Sequence, residues 1–419
     1  MPTPTTILII GASYAGLPIA HSLLSHTQTT PSPQTKTKII LLNPTPTFYW
    51  NVASPRILTK PSFFQPAQYL LPIAEGFSAY SSNSDQFEFV CGWATAIDHV
   101  RKTVAVDKTR SISYDYLVLA SGSSPKATLG FVEGEATTDV FPFKTPAWSD
   151  DTQGSIEVAQ RVVSAARRVV IGGAGPIGVE TAGEFGDLIA ERQMKMKMKM
   201  KGGGDGDGDG DGDGLEVTLI SGTERVLSML KPSASAAAEA GLNSTTTTTT
   251  TTTSAAAAAS EDGHGHAHAE TNGKYTIHLS DNTTLQCDIY IPTTGVVPNN
   301  SFIPSSALDP YGWVRVDKEL RVEGMEGVYA AGDITMHSQR LAFKAGEQAG
   351  VVAANLLVDV TGAGKRKTYA QGNSVLMLVP VGANAGTGQL FGWVPWGWLV
   401  RWLKGRDFMV ARARGVVFG

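Results

Sequence analysis

The sequence predicts an α/β chain with two doubly wound dinucleotide-binding units in series, on three observations. A short apolar strand runs into a glycine-rich turn and then a helical stretch, and it does so twice: TTILII into Gly11-Ala12-Ser13-Tyr14-Ala15-Gly16, and Val169-Val170-Ile171 into Gly173-Ala174-Gly175-Pro176-Ile177-Gly178. Strands closing in small residues recur at 114–122 (YDYLVLASG) and 288–295 (DIYIPTTG). A further apolar strand, GVYAAGDI at 327–334, ends in Gly332-Asp333. Together these are the parts of two Rossmann-like units, each a parallel sheet that meets a nucleotide at its glycine turn.

In the first unit, residues 5–10 form a buried strand, and the helix after the turn runs to about Leu24. Pro18 falls in its first turn, where backbone N–H groups have no intrahelical partner. The turn reads GxSxxG. Ser13 stands where a strict fingerprint has glycine, and its hydroxyl can itself donate to a phosphate. The helix start behind Ala15 and Gly16 aims free N–H groups and a positive dipole end at that anion. Lys38 to Leu42 is the second strand, and it ends at Asn43, where a ribose-binding acid is expected. Tyr116 to Ala120 is the third, stopping at Ser121-Gly122.

The second unit opens with the end of a helix at 161–168, a strand at 169–171, a full GxGxxG on Gly173, Gly175 and Gly178, a helix over 179–190 and a strand over 215–220. The loop after that strand holds both Glu224, able to accept from an NADH ribose hydroxyl, and Arg225, able to pair an NADPH phosphate. The strand at 288–295 closes in Gly295.

Low-complexity tracts interrupt this unit. Met and Lys alternate over 194–201, Asp-Gly repeats fill 205–214, nine threonines span 245–253, five alanines follow at 255–259, and His264, His266 and His268 come after them. Such tracts bury too little apolar surface to order themselves, so 194–214 and 234–272 read as insertions. A strand resumes at 274–279, and the strand due before it is either supplied by the threonine run, since threonine favours strands, or lost. The Asp-Gly run lacks the spacing and bidentate glutamate of a calcium loop, so no metal site is expected. The domain reading is therefore 1–140, a first nucleotide domain; 141–298, a second with insertions; 299–368, the return to the first; and 369–419, a Trp-rich tail.

Composition narrows the function. The 419 residues are 42% hydrophobic, enough for two cores, and the net charge of −4 argues against binding nucleic acid by bulk charge. Cys91 and Cys287 are the only cysteines, so there is no CxxC redox pair, disulfide framework or thiolate zinc site. The N-terminus lacks a signal-peptide shape, and Pro2 stands where myristoylation needs glycine. No apolar run is long enough to span a bilayer. The stretch at 391–406 holds Trp393, Trp396, Trp398 and Trp402 beside Arg401, Lys404 and Arg406, the composition of a peripheral membrane contact; the alternative is a hairpin buried against the body. The localisation expected is cytoplasmic, with peripheral membrane or mitochondrial association left open.

At these residues the chain resembles the two-domain flavoproteins of the pyridine nucleotide–disulfide oxidoreductase superfamily. It resembles most closely the AMID branch, the apoptosis-inducing-factor-like and ferroptosis-suppressor quinone reductases. FYWNVASPR at 48–56, LAFKAGEQAGVVAANL at 341–356 and GTGQLFGWVPWGWLVRWLKGRDF at 386–408 carry the closer likeness. The resemblance implies FAD at the first turn and NADH or NADPH at the second. It implies Asp333 on the ribityl chain, and Asn51, Arg56, Lys344 and Gln348 around the flavin. It implies Glu180 at the nicotinamide–flavin contact with Lys126 as its charge partner. Arg56 also reads as an ordinary helix cation, and Glu180 and Lys126 as solvated surface charges. The activity implied is electron transfer from the nicotinamide nucleotide through flavin to a quinone-like acceptor without a redox disulfide. The alternatives are a flavin oxidase or electron-transfer partner, and a non-catalytic FAD-binding signalling protein.

Overall fold

A computed structural model describes residues 4–29, 36–81, 86–132, 135–136, 139–146, 149–201, 214–244, 248–251, 259–260 and 275–419. The Asp-Gly repeats up to 213, the alanines at 255–258 and His264, His266 and His268 lie outside the described residues.

The first unit is a five-stranded parallel sheet in the order Val328–Ala330, Tyr116–Leu119, Thr5–Ile10, Thr37–Asn43, Phe87–Cys91. Parallel strands need crossovers that cover both faces, so they read as unbroken apolar runs. Ile7, Leu8 and Ile9 accordingly have no exposure at all. Helices Gly16–Thr29 and Ala342–Thr361 pack against each other over this sheet.

The second unit is a four-stranded parallel sheet in the order Thr248–Thr251, Glu216–Ser221, Arg168–Gly172, Ile289–Pro292. Two expectations are corrected here. The helix after the second turn is Pro176–Lys201, so the Met/Lys repeat continues it rather than starting a loop. Met and Lys are both strong helix formers, which lets an alternating pattern extend a helix already nucleated. The stretch read as an insertion from 234 starts with the helix Pro232–Asn243, which buries Ala234, Ala238 and Leu242 against the second core. Pro232 at its first position and alanines at its buried positions suit that role. Of the two alternatives for the edge strand, the threonine run supplies it: Thr248–Thr251 pairs in parallel with Thr218 to Ser221.

The chain after 369 is no appendage. The antiparallel hairpin Met377–Val381 and Ala385–Gln389 lays Val379 and Val381 into the second core, while Phe408, Val410, Ala413 and Val417 enter the first. Trp50 donates its indole N–H to the Phe408 carbonyl at 2.9 Å, tying the 48–56 motif to this segment. The antiparallel pair Ser123–Pro125 and Val296–Pro298 joins the two units where their crossings meet.

Candidate functional site

The two glycine turns are built alike. Gly173 sits at φ +114°, a left-handed conformation that glycine alone adopts cheaply, and a Cβ on Gly178 would lie 1.9 Å from the Gly173 carbonyl oxygen. Gly11 (φ +104°) and Gly16 repeat both constraints, since a Cβ on Gly16 would meet the Gly11 carbonyl oxygen at 1.8 Å. Gly175, by contrast, faces open space. Beside it lies a cavity of about 470 Å³ lined by the second turn, by Ser221 to Thr223, by Ser228 and Met229, and by Thr293 to Val296, Gly295 included. Thr293 donates its hydroxyl to the Gly173 carbonyl at 2.7 Å and so braces the turn from the neighbouring strand.

At the first turn, Asn43 accepts from the Ala12 N–H at 2.9 Å and donates to Thr45. Its amide thus holds the turn in shape, where the sequence reading assigned it to a ribose. Tyr14 donates to Asn51 at 2.8 Å, and Asn51 in turn donates to the Phe143 carbonyl. Ser13 is partly exposed at the turn, and Ala15 is buried with Gly332 packed against it. Ser121, next to Gly122 (φ +69°), exchanges hydrogen bonds with Asn299 at 2.8 Å.

Asp333 lies at the end of its strand as expected, with a partner the sequence reading missed. Lys144 Nζ is 2.6 Å from Asp333 Oδ2, and Ser123 donates to the same oxygen at 2.9 Å. Burial alone would raise this carboxyl, but Lys144, Ser123 and Arg340 together hold it below the usual value. Gln348 is buried and accepts from the Gly332 N–H at 2.7 Å, fixing the Gly-Asp corner. Lys344 is also buried, and its amine pairs with Glu347 and the Gln371 carbonyl.

Two charged assignments are corrected. Glu180 is no surface charge but a buried side chain, and its partner is Lys404, 2.5 Å away, rather than Lys126. Lys126 instead opens the short helix Lys126–Leu129 and is half-buried there, apart from the Glu180–Lys404 pair. Burial pushes the Glu180 carboxyl up, and Lys404 offsets only part of that rise. Arg56 is fully buried and faces protein on every side. It forms a bidentate pair with Glu184 at 2.7 and 2.9 Å, donates to the Arg406 carbonyl at 2.8 Å, and stacks between Phe63 and Phe408. It clamps the first unit, the second unit and the C-terminal segment together instead of lining a flavin pocket.

Glu180, Glu184 and Asp187 form one stripe on helix Pro176–Lys201, answered by Lys404, Arg56 and Lys60. The i, i+4, i+7 spacing of the acids is legible in the sequence. Their cations come from distant segments, so only the fold reveals them. Lys404 sits in Arg401–Gly405, a turn of π-helix, a form that recurs at functional sites.

The aromatic residues after the hairpin are exposed, contrary to the buried alternative. Trp396, Trp398 and Trp402 are 61%, 64% and 65% exposed and Phe391 84%. Among the described residues no helix is long and apolar enough to cross a membrane.

Oxidoreductase ptaL of Pestalotiopsis fici is 34% identical over 95% of each chain. Human ferroptosis suppressor protein 1 is 30% identical over a smaller part, 32% of this chain and 37% of its own. The sulfide:quinone oxidoreductase structure from Aquifex aeolicus superposes with a TM-score of 0.70 at 14% identity, covering 99% of this chain and 92% of that one. Residues 5–349, from the first strand through the Gly332-Asp333 corner and into helix Ala342–Thr361, match the family described as pyridine nucleotide-disulphide oxidoreductase, and the chain belongs to that family.

Proposed function

We propose that the protein is an FAD-dependent NAD(P)H oxidoreductase that passes electrons to a quinone-like acceptor without a redox disulfide. The observation that carries this reading is the arrangement along one helix: the second glycine turn opens the cavity at its start, and the buried Glu180–Lys404 pair follows within its first turns. The cysteines support the last clause, since Cys91 is exposed at the first sheet's edge while Cys287 is buried in the second unit.

The first turn fits a dinucleotide, because a Cβ on Gly11 would strike the Ala120 carbonyl and one on Gly16 the Gly11 carbonyl, so only glycine keeps the turn this tight against the sheet, as in the second turn. Its backbone N–H groups would hold the diphosphate, Ser123 and Asp333 the ribityl hydroxyls, and the N-terminal amides of helix Ala342–Thr361 the pyrimidine edge. FAD, once bound, supplies the redox chemistry, and the chain supplies position and charge. Lys144 balances Asp333, so the diphosphate meets no uncompensated carboxylate. Glu180 favours the positive charge that a nicotinamide ring gains as it gives up hydride. Purified protein is expected to be yellow and to bleach anaerobically with NADH or NADPH. Re-oxidation should be faster with a short-chain quinone than with oxygen. Retention of colour with both nucleotides would overturn the reductase reading, and faster turnover with oxygen would replace it with an oxidase.

We also propose that the Trp-rich face docks on an anionic lipid surface. Trp398, Leu399, Arg401, Trp402 and Arg406 line a shallow hollow of about 600 Å³, pairing exposed indoles with guanidinium groups. Full-length protein should float with phosphatidylserine vesicles, and Trp398→Ser/Trp402→Ser should float at least severalfold less. Equal flotation of the two removes the idea.

A further inference from the structure

The register of the two sheets allows the two nucleotide sites to be superposed residue by residue. Ile10 pairs with Leu42 and the Gly11 N–H donates to the Leu42 carbonyl at 2.8 Å. Gly172 pairs with Ile220 and the Gly173 N–H donates to the Ile220 carbonyl at 2.9 Å. Asn43 and Ser221 therefore occupy the same position, the end of the second strand, where an NAD-selective site places the carboxylate that binds the adenosine ribose diol.

In the second unit that position holds a buried serine. The Ser221 hydroxyl donates to the Thr223 carbonyl at 2.7 Å, which turns the loop back on itself. Among the described residues no acid lines the cavity; Ser221, Thr223 and Ser228 are part of its lining, with the Ser221 hydroxyl on the Thr223 carbonyl and the Thr223 hydroxyl on the Arg225 carbonyl. Glu224 and Arg225 both stand just outside the lining; Glu224 is exposed and no bond among the described residues holds it to the cavity's edge, whereas Arg225 is half-buried. Arg225 reaches Ser228, which does line it: its guanidinium donates to the Ser228 carbonyl at 3.4 Å and to Ser235 at 3.3 Å, both long bonds that leave donors free. It is the only cation in 221–230.

A missing carboxylate removes the group that would repel a 2′-phosphate, and a guanidinium bonded to Ser228 at the cavity's edge supplies the group that would bind one. We infer that the second site selects NADPH over NADH, with Arg225 as the residue that decides. The inference rests on the proposed reductase reading but is tested separately from it. Full-length, flavin-loaded protein is titrated calorimetrically with 2′,5′-ADP and with 5′-AMP, which differ by the one phosphate. The bisphosphate should bind about ten-fold tighter or better, as one charge-assisted contact implies. Arg225→Ala should bring the two affinities together, Arg225→Lys should restore part of the difference, and Ser221→Asp should reverse the NADPH:NADH ratio of kcat/KM. Equal affinities in the wild type, or a preference untouched by Arg225→Ala, overturn the inference. If neither nucleotide bleaches the flavin yet 2′,5′-ADP still binds tighter, the reductase reading falls and the inference stands. If both nucleotides bleach it equally and both probes bind equally, the reverse holds.

Discussion

Replacing Lys404 with methionine should slow nicotinamide-driven flavin reduction by about 100-fold while leaving flavin content unchanged. Glu180 is buried, and burial pushes its carboxyl up; the Lys404 ammonium at 2.5 Å is the strongest influence drawing it back toward the charged form. Without that ammonium the carboxyl keeps its proton rather than stand charged in apolar surroundings. On the proposed reading, a neutral Glu180 would no longer favour the positive charge of an oxidised nicotinamide. The sign for pH follows. Because the carboxyl is raised, protonation sets in at a higher pH than for an ordinary glutamate. The wild-type reduction rate should therefore fall as pH drops through that raised value, and Lys404→Met should carry the fall to still higher pH. A stopped-flow pH series on both proteins reads both effects. A variant within about threefold of wild type, with its inflection unmoved, would show that the pair is structural only.

Arg56→Ala should cost about 3–5 kcal/mol of stability, as removal of one partner from a buried ion pair does. Arg56 and Glu184 side chains are 0% and 1% exposed, so solvent screens little of the interaction. Burial already raises the Glu184 carboxyl, only partly offset by Arg56, and the remaining cation, Lys60, is 3.8 Å away. The truncation also frees the Arg406 carbonyl and opens the space between Phe63 and Phe408. The expected readout is a thermal transition lower by roughly 5 °C. Arg56→Met/Glu184→Leu, which removes both charges at similar volume, should recover most of the loss. If the double variant is no better than Arg56→Ala, packing rather than charge carries the clamp.

The frame of the fold was readable because parallel strands and glycine turns have local signatures. Ile7 to Ile10 is apolar throughout since both its faces are covered, and the spacing of Gly173 and Gly178 is set within one turn, where a Cβ on Gly178 would strike the Gly173 carbonyl. Helix Pro232–Asn243 was missed because its small-residue composition mimics filler, yet alanines are what a helix needs to lie close on a sheet. The site was legible only on one side of each pair. Asp333 and Glu180 sit beside recognisable turns. Lys144 and Lys404 reach them from segments 189 and 224 residues away, and no local pattern encodes that meeting. Arg56 misled for a related reason: the motif around it is distinctive, but what it buries against is Glu184, in the other unit.

On the proposed reading, electrons pass through flavin alone, with no redox disulfide between Cys91 and Cys287. Counting nicotinamide equivalents in an anaerobic titration tests it most directly. The account predicts that one equivalent of NADPH per bound flavin completes the bleaching, and that Cys91→Ser/Cys287→Ser leaves this end point in place. An end point of two equivalents per flavin, falling to one when both cysteines are replaced, would contradict it.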